Sequence, residues 1–118
     1  NHGDLYRDFT YIDDIVEGIV KVIKKPPLTP PKGENEECYK VYNIGNSESV
    51  KLMDFIETIE KAWGKEALKE YHDMQPGDVY KTFADVSDLQ NDFGYAPETP
   101  IQKGIESFVK WYKEYYKK

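Results

Sequence analysis

The sequence predicts a small α/β domain, an α+β layer in which short strands alternate with amphipathic helices. Two patterns predict it. Apolar residues recur at helical spacing in three stretches, near residues 12–23, 52–63 and 101–112, the period of one helix face. Between them lie short runs rich in β-branched and aromatic residues, bounded by glycine, proline or asparagine, which read as strands. The predicted order is strand, helix, strand, helix, strand, helix, helix, without internal repeats, over one domain spanning residues 1–118.

Asn1 to Asp4 read as a turn or strand end, and Arg7-Asp8-Phe9-Thr10-Tyr11 as a short extended segment, since pleated backbone favours its aromatic and β-branched residues. A helix follows from about Asp13 to Lys25, with Ile12, Ile15, Val16, Ile19, Val20 and Ile23 on one face. Asp13 and Asp14 stand where carboxylates satisfy first-turn N–H groups. Four prolines then fall between residues 26 and 31, followed by an acidic run to Glu37. This reads as an exposed loop rather than a domain boundary, because proline cannot continue the helix.

Cys38 to Ile44 reads as a strand ended by the turn signal Gly45-Asn46-Ser47. Ser49-Val50-Lys51 leads into a second helix, about Leu52 to Trp63, with Leu52, Phe55, Ile56, Ile59 and Trp63 on its apolar face and Gly64 as its cap. Leu68 to Asp73 reads as another strand, and Met74 to Val79 as a turn leading into an extended piece, Tyr80 to Phe83. A short helix is predicted from Val86 to Phe93, capped by Asp85 and closed by Gly94. Thr99-Pro100 opens the last helix, since proline is tolerated in a first turn. Its buried face is Ile101, Ile105, Phe108, Val109 and Tyr112.

The net charge of −6, with acids spread along the chain, argues against nucleic acid as a partner, because phosphate-backbone binding rests on basic patches. A single cysteine, Cys38, excludes an internal disulfide and fits a reducing compartment. No apolar run approaches the roughly 20 residues of a membrane span, and no signal-peptide pattern is present. The expectation is a soluble, cytoplasmic protein. The chain begins at Asn1 and enters ordered-looking sequence at once, so it reads as a piece of something longer.

A self-contained enzyme shows its working groups, and here they are few. The chain holds no GxGxxG opening a helix, no GxxxxGK[ST], no HExxH and no paired-cysteine zinc pattern, the common signatures of nucleotide and metal chemistry. His2 and His72 are isolated. Cys38 has no adjacent cation or helix start to lower its pKa and reads as structural. Ser47 lies on a turn with nothing to activate it. No catalytic residue, cofactor site or metal site is assigned to this chain.

Two features remain. Arg7 is the only arginine; beside a strand-to-helix turn, its planar fork suits a phosphate or carboxylate. The bland alternative is a surface arginine paired with Asp4 or Asp8. The second feature is Gln75-Pro76-Gly77-Asp78, where proline and glycine fix the backbone so that Gln75 and Asp78 project from one corner. Gln75 offers donors and an acceptor and Asp78 acceptors only, a set suited to sugar hydroxyls.

Taken together, Arg7 to Ile15, Tyr42 to Ser47, Met74 to Val79, Ala84-Asp85 and Phe93-Gly94-Tyr95 resemble the carboxyl-terminal part of NAD-dependent nucleotide-sugar epimerases. These form a branch of the extended short-chain dehydrogenases; the pattern is most like UDP-glucuronate 4-epimerases, with UDP-glucose 4-epimerases next. The resemblance runs nearly end to end and is poorest at 26–37. It implies a smaller domain that grips a UDP-sugar, completed by an amino-terminal Rossmann domain that lies outside this chain, holds NAD and carries the catalytic groups, in a homodimeric parent. It also implies that Arg7 contacts the UDP diphosphate and Asp78 the uridine ribose hydroxyls. Gln75 stands where UDP-galactose-type enzymes carry a second phosphate-binding arginine, a departure that fits the glucuronate-type Met-Gln-Pro-Gly-Asp. Asp14 and Asp85 match positions read as helix caps. Alternatives are a non-catalytic acidic interaction module, or the same segment of a dehydratase or reductase.

Overall fold

The helices fall where the apolar period puts them. A computed structural model of the chain describes residues 2–26 and 40–117, with the order β1 (Tyr6–Asp8), α1 (Ile12–Lys24), β2 (Ser49–Lys51), α2 (Leu52–Trp63), α3 (Ser87–Phe93) and α4 (Ile101–Tyr116). The proline-rich loop beyond Pro26 and Cys38 lie outside the described residues. Gly64 and Gly94 close α2 and α3 in the left-handed region, at φ +84° and +62°, where glycine carries no Cβ penalty. Pro100 sits at the N-cap of α4, one position ahead of the expected first turn. Among the described residues, no helix is long and apolar enough to cross a membrane.

The strands depart from expectation. Ser49–Lys51, read as a lead-in to α2, is β2, antiparallel to β1 with Tyr6, Arg7 and Asp8 opposite Lys51, Val50 and Ser49. The expected strands at 38–44 and 68–73 form no ladder among the described residues, and 80–83 makes one parallel bridge, Tyr6 to Lys81. The cause is where the backbone groups find partners. Ser49 Oγ donates to the Thr82 carbonyl at 2.6 Å, Ser47 Oγ to the Ala84 carbonyl at 2.6 Å and Asn43 Nδ2 to the Asp85 carbonyl at 3.1 Å. Side chains thus lace 82–85 to 43–49 in place of a ladder. β-propensity records fit to a pleated, half-buried surface, and Leu68, wholly exposed, has no such surface beneath it.

Two small cores result. In one, Val86, Leu89 and Tyr95 are buried against Val22, Tyr42, Ile44, Ala84 and Phe93. The Tyr95 hydroxyl donates to the Gly45 carbonyl at 3.3 Å, giving the buried phenol a partner, and burial pushes its pKa above the ordinary range. Asp92 on α3 accepts from Lys40 Nζ and the Tyr42 hydroxyl, each at 2.7 Å. Those donors hold its carboxyl below the usual range. In the other core α2 packs on α4: Phe9 stacks on Phe55 at 3.8 Å, Trp63 meets Tyr112 edge-on, and Ile105 and Val109 are buried.

Helix α1 is turned over relative to its apolar stripe. Its buried residues are Asp14 and Gly18. A Cβ on Gly18 would stand 3.1 Å from the Tyr95 ring and 3.3 Å from Ile44, tighter than ordinary contact, so any larger residue would have to push those side chains back. The expected face is open: Ile12, Val16, Ile19, Val20 and Ile23 are 61, 47, 44, 40 and 70 % exposed. Asp14 is not a cap either. It reaches across to the linker before α4, accepting from the Thr99 N–H at 3.2 Å and the Thr99 hydroxyl at 3.1 Å. α1 starts at Ile12 without any side-chain cap. The N-cap of α3 is Val86 rather than Asp85; Asp85, one residue earlier, still accepts from the Ser87 N–H at 3.0 Å.

Candidate functional site

Successive side chains of a strand point to opposite faces, so Arg7 leaves β1 on the side away from Tyr6 and Asp8. Its Nη2 donates to Asp78 Oδ1 at 2.5 Å, and its Nη1 donates to the Tyr6 carbonyl at 2.8 Å and the Tyr80 carbonyl at 3.4 Å. The two residues singled out from the sequence, 71 positions apart, therefore meet. The partner is neither Asp4 nor Asp8. Asp4 accepts instead from the Tyr80 hydroxyl at 3.1 Å, and Asp8 is engaged elsewhere.

The pair is reachable, with side chains 25 % and 33 % exposed. Of five guanidinium N–H groups, three are used. Nε–H and one Nη2–H have no acceptor among the described residues. Asp78 Oδ1 also takes the Val79 N–H at 2.9 Å, and Oδ2 takes no donor among the described residues. A planar cation with two unspent donors thus lies beside a carboxylate with a free oxygen. That combination fits an anion next to a pair of hydroxyls.

The 75–78 turn is built as its residues demand. The Asp78 N–H donates to the Gln75 carbonyl at 3.1 Å, and Gly77 has φ +86°. Proline followed by a glycine at positive φ is the type II pattern. The Gln75 side chain is exposed and bonds to neither Arg7 nor Asp78. The structure brings two of the three candidates together and places the third on their turn.

Sequence reading missed Asp8. Its Oδ1 accepts from the Asn46 N–H at 2.9 Å and the Thr10 hydroxyl at 3.3 Å, and its Oδ2 accepts from the Ser47 and Ala84 N–H groups, each at 3.0 Å. Ser47 sits at φ +55°, the left-handed turn that lets two successive N–H groups converge on one carboxylate. Gly45 makes the approach feasible: a Cβ there would lie 2.4 Å from the Ala84 Cβ and 3.0 Å from Asp8 Oδ2. Gly45→Ala is expected to cost about 1–3 kcal/mol through overpacking. Urea unfolding would show a lowered midpoint at unchanged slope; an unchanged midpoint would mean that these segments part freely.

Two hollows flank β1. One, about 690 Å³, is apolar and lies between the β1–α1 junction, α2 and α4, lined by Phe9, Phe55, Ile59, Ile105, Phe108 and Trp111 among others. The other, about 460 Å³, is polar and includes Asp8, Asn43, Gly45, Thr82 and Ala84. Neither includes Arg7 or Asp78. The larger hollow matches poorly the polar surface of a nucleotide, so the surface pair is the better candidate.

Comparison with known proteins agrees with the motif reading. No family model matches the chain. It is 53% identical over 126 residues to Protein CapI of Staphylococcus aureus, covering 100% of this chain and 38% of that protein. To UDP-glucuronate 4-epimerase 2 of Arabidopsis thaliana it is 37% identical over 121 residues, covering 99% of this chain and 28% of the relative. Among solved structures, UDP-glucuronic acid 4-epimerase from Bacillus cereus, in complex with UDP-glucuronic acid and NAD, superposes with a TM-score of 0.78 at 32% identity, over 97% of this chain and 34% of that one. UDP-glucose 4-epimerase from Bifidobacterium longum, with NAD+ and UDP, gives 0.74 at 25% identity, over 91% of this chain and 30% of that one. The chain spans between about a quarter and two-fifths of the length of these relatives. Nearly end to end, the chain matches the carboxyl-terminal part of UDP-glucuronate 4-epimerases and UDP-glucose 4-epimerases.

Proposed function

We propose that this chain is the nucleotide-sugar-binding portion of an NAD-dependent UDP-glucuronate 4-epimerase. Arg7 grips the diphosphate and Asp78 the uridine ribose hydroxyls. The observation that carries the reading is the meeting of Arg7 and Asp78 at 2.5 Å on a reachable surface, with guanidinium donors and a carboxylate oxygen left over. Gln75, which is neutral, fits the glucuronate-type turn. The similar Bacillus cereus protein was solved with UDP-glucuronic acid bound. The single cysteine supports a cytoplasmic setting.

NAD belongs, in this proposal, to a Rossmann domain of the parent protein and not to this chain. The starts of α1 and α2 do not fit it. A pyrophosphate needs a glycine-lined helix N-terminus, whereas α1 opens with Asp13 and Asp14, and α2 follows β2 with no loop between them. The exposed Ile/Val face of α1 is the surface we assign to that Rossmann domain. What this chain's residues contribute is binding and orientation of the UDP moiety. The test is turnover. The full-length protein carrying this segment is expected to convert UDP-glucuronate to its C4 epimer, followed by NMR, and the purified 118-residue chain to give none. Turnover by the isolated chain, or none by the full-length protein, would overturn the assignment.

A further inference from the structure

Asp8 has no place in the proposed grip on substrate, yet its carboxylate carries more bonds than that of any other described residue. Four donors fill both oxygens, three of them backbone N–H groups from two distant segments. An ionised carboxylate has about four acceptor sites, so Asp8 is saturated and has nothing left for a ligand. Its effect must pass through what it holds.

What it holds is the segment that orients Arg7. The stretch from Asp78 to Ala84 is pinned to β1 at successive points: Tyr80 O accepts the Tyr6 N–H at 3.0 Å, the Thr82 N–H donates to Tyr6 O at 3.2 Å, and the Ala84 N–H donates to Asp8. The same stretch supplies the Tyr80 carbonyl and the Asp78 carboxylate that bind the two Nη atoms of Arg7. Asp8 also clamps the 46–47 turn, and Ser47 Oγ donates in return to the Ala84 carbonyl. The alignment of the fork thus depends on a carboxylate on the opposite face of the same strand.

We propose that Asp8 is a positioning residue for the phosphate grip: it locks Ala84 and the 46–47 turn to β1 and thereby fixes the Arg7 fork and Asp78 in register. The inference rests on the reading of Arg7 as the diphosphate ligand. Asp8→Asn is isosteric but turns an NH₂ toward backbone N–H donors, so at least one of the three backbone bonds is lost.

The experiment uses the full-length protein with Asp8→Asn, Arg7→Ala and the double variant, measuring Kd for UDP by calorimetry and KM and kcat for UDP-glucuronate. Asp8→Asn is expected to raise Kd and KM about tenfold, the worth of one charge-assisted bond, with kcat nearly unchanged. A merely structural role would lower the active fraction, and so apparent kcat, and leave KM alone. In the Arg7→Ala background Asp8→Asn is expected to raise Kd by clearly less than tenfold, because the part of its effect that passes through Arg7 is already lost and only the part through Asp78 remains. Ser47→Ala, which frees the Ala84 carbonyl and leaves Asp8 intact, is expected to raise KM in the same direction by about two- to threefold; it decides the matter should Asp8→Asn not fold. Unchanged KM in both variants, or an additive double mutant, would sink the proposal for Asp8 while leaving Arg7 standing. An Arg7→Ala variant that binds UDP normally would remove the diphosphate reading itself.

Discussion

Arg7→Ala in the full-length protein is expected to weaken UDP binding by about 2–5 kcal/mol, a rise in Kd of about thirtyfold to several thousandfold. The size follows from what is removed: a charge-assisted fork with two donors free for phosphate and a carboxylate neighbour that would be left without its cation. In the proposed reaction the UDP part is remote from the sugar C4, the carbon whose configuration would change. Contacts to it are the same in ground and transition state, so KM carries the loss and kcat is largely spared. Arg7→Lys is expected to recover only part, because a point charge does not reproduce the planar fork. Asp78→Asn costs less, about 1–3 kcal/mol, as one acceptor becomes a donor. Gln75→Arg, on the same exposed turn, is expected to be tolerated and to tighten UDP. Competitive inhibition by UDP measures all four. Should Arg7→Ala leave it unchanged, Arg7 is a surface partner of Asp78 and nothing more.

The helices were legible because their signals are local. The apolar period of residues 52–63 sets α2 from Leu52 to Trp63, and Gly64 and Gly94 end their helices at positive φ as read. Arg7 and the Gln75–Asp78 turn were legible as candidates for the same reason: each stands out by residue type and immediate neighbours. Their meeting was not, since nothing local joins positions 71 apart. Asp14 and Asp8 show the limit most clearly. Both sit where short-range rules offer a use, a helix cap for one and a partner for Arg7 for the other. Both are spent on backbone or hydroxyl donors distant in sequence, Thr99 for Asp14 and Asn46, Ser47 and Ala84 for Asp8. The strands failed for a related reason. A ladder requires a neighbour, and 40–44 has no strand beside it among the described residues. A β-rich run states what a segment fits; it does not say that the fitting surface is in the same piece of chain.

Ile23→Asp is expected to separate the isolated chain from the full-length protein by several kcal/mol. In the isolated chain Ile23 is 70 % exposed, and a surface substitution away from caps and networks shifts stability by only about 0.5 kcal/mol in either direction. In the full-length protein the proposed Rossmann domain covers the face formed by Ile12, Val16, Ile19, Val20 and Ile23. An aspartate there would be buried without a partner, at a cost of several kcal/mol. Of the cations on α1, Lys21 pairs with Glu17 at 3.2 Å, and Lys24, the residue after Ile23, does not face it, because adjacent positions on a helix point in different directions. A stripe of five open aliphatic residues on one helix also exceeds the scattered apolar exposure ordinary for a surface. The isolated chain is therefore expected to self-associate at high concentration, and Ile23→Asp to reduce that association. Thermal unfolding of both lengths, with sedimentation of the short one, gives the comparison. A full-length Ile23→Asp protein as stable as its parent would show that α1 faces water there too, and the covering partner would have to be sought at the apolar hollow beneath Phe108 and Trp111 instead.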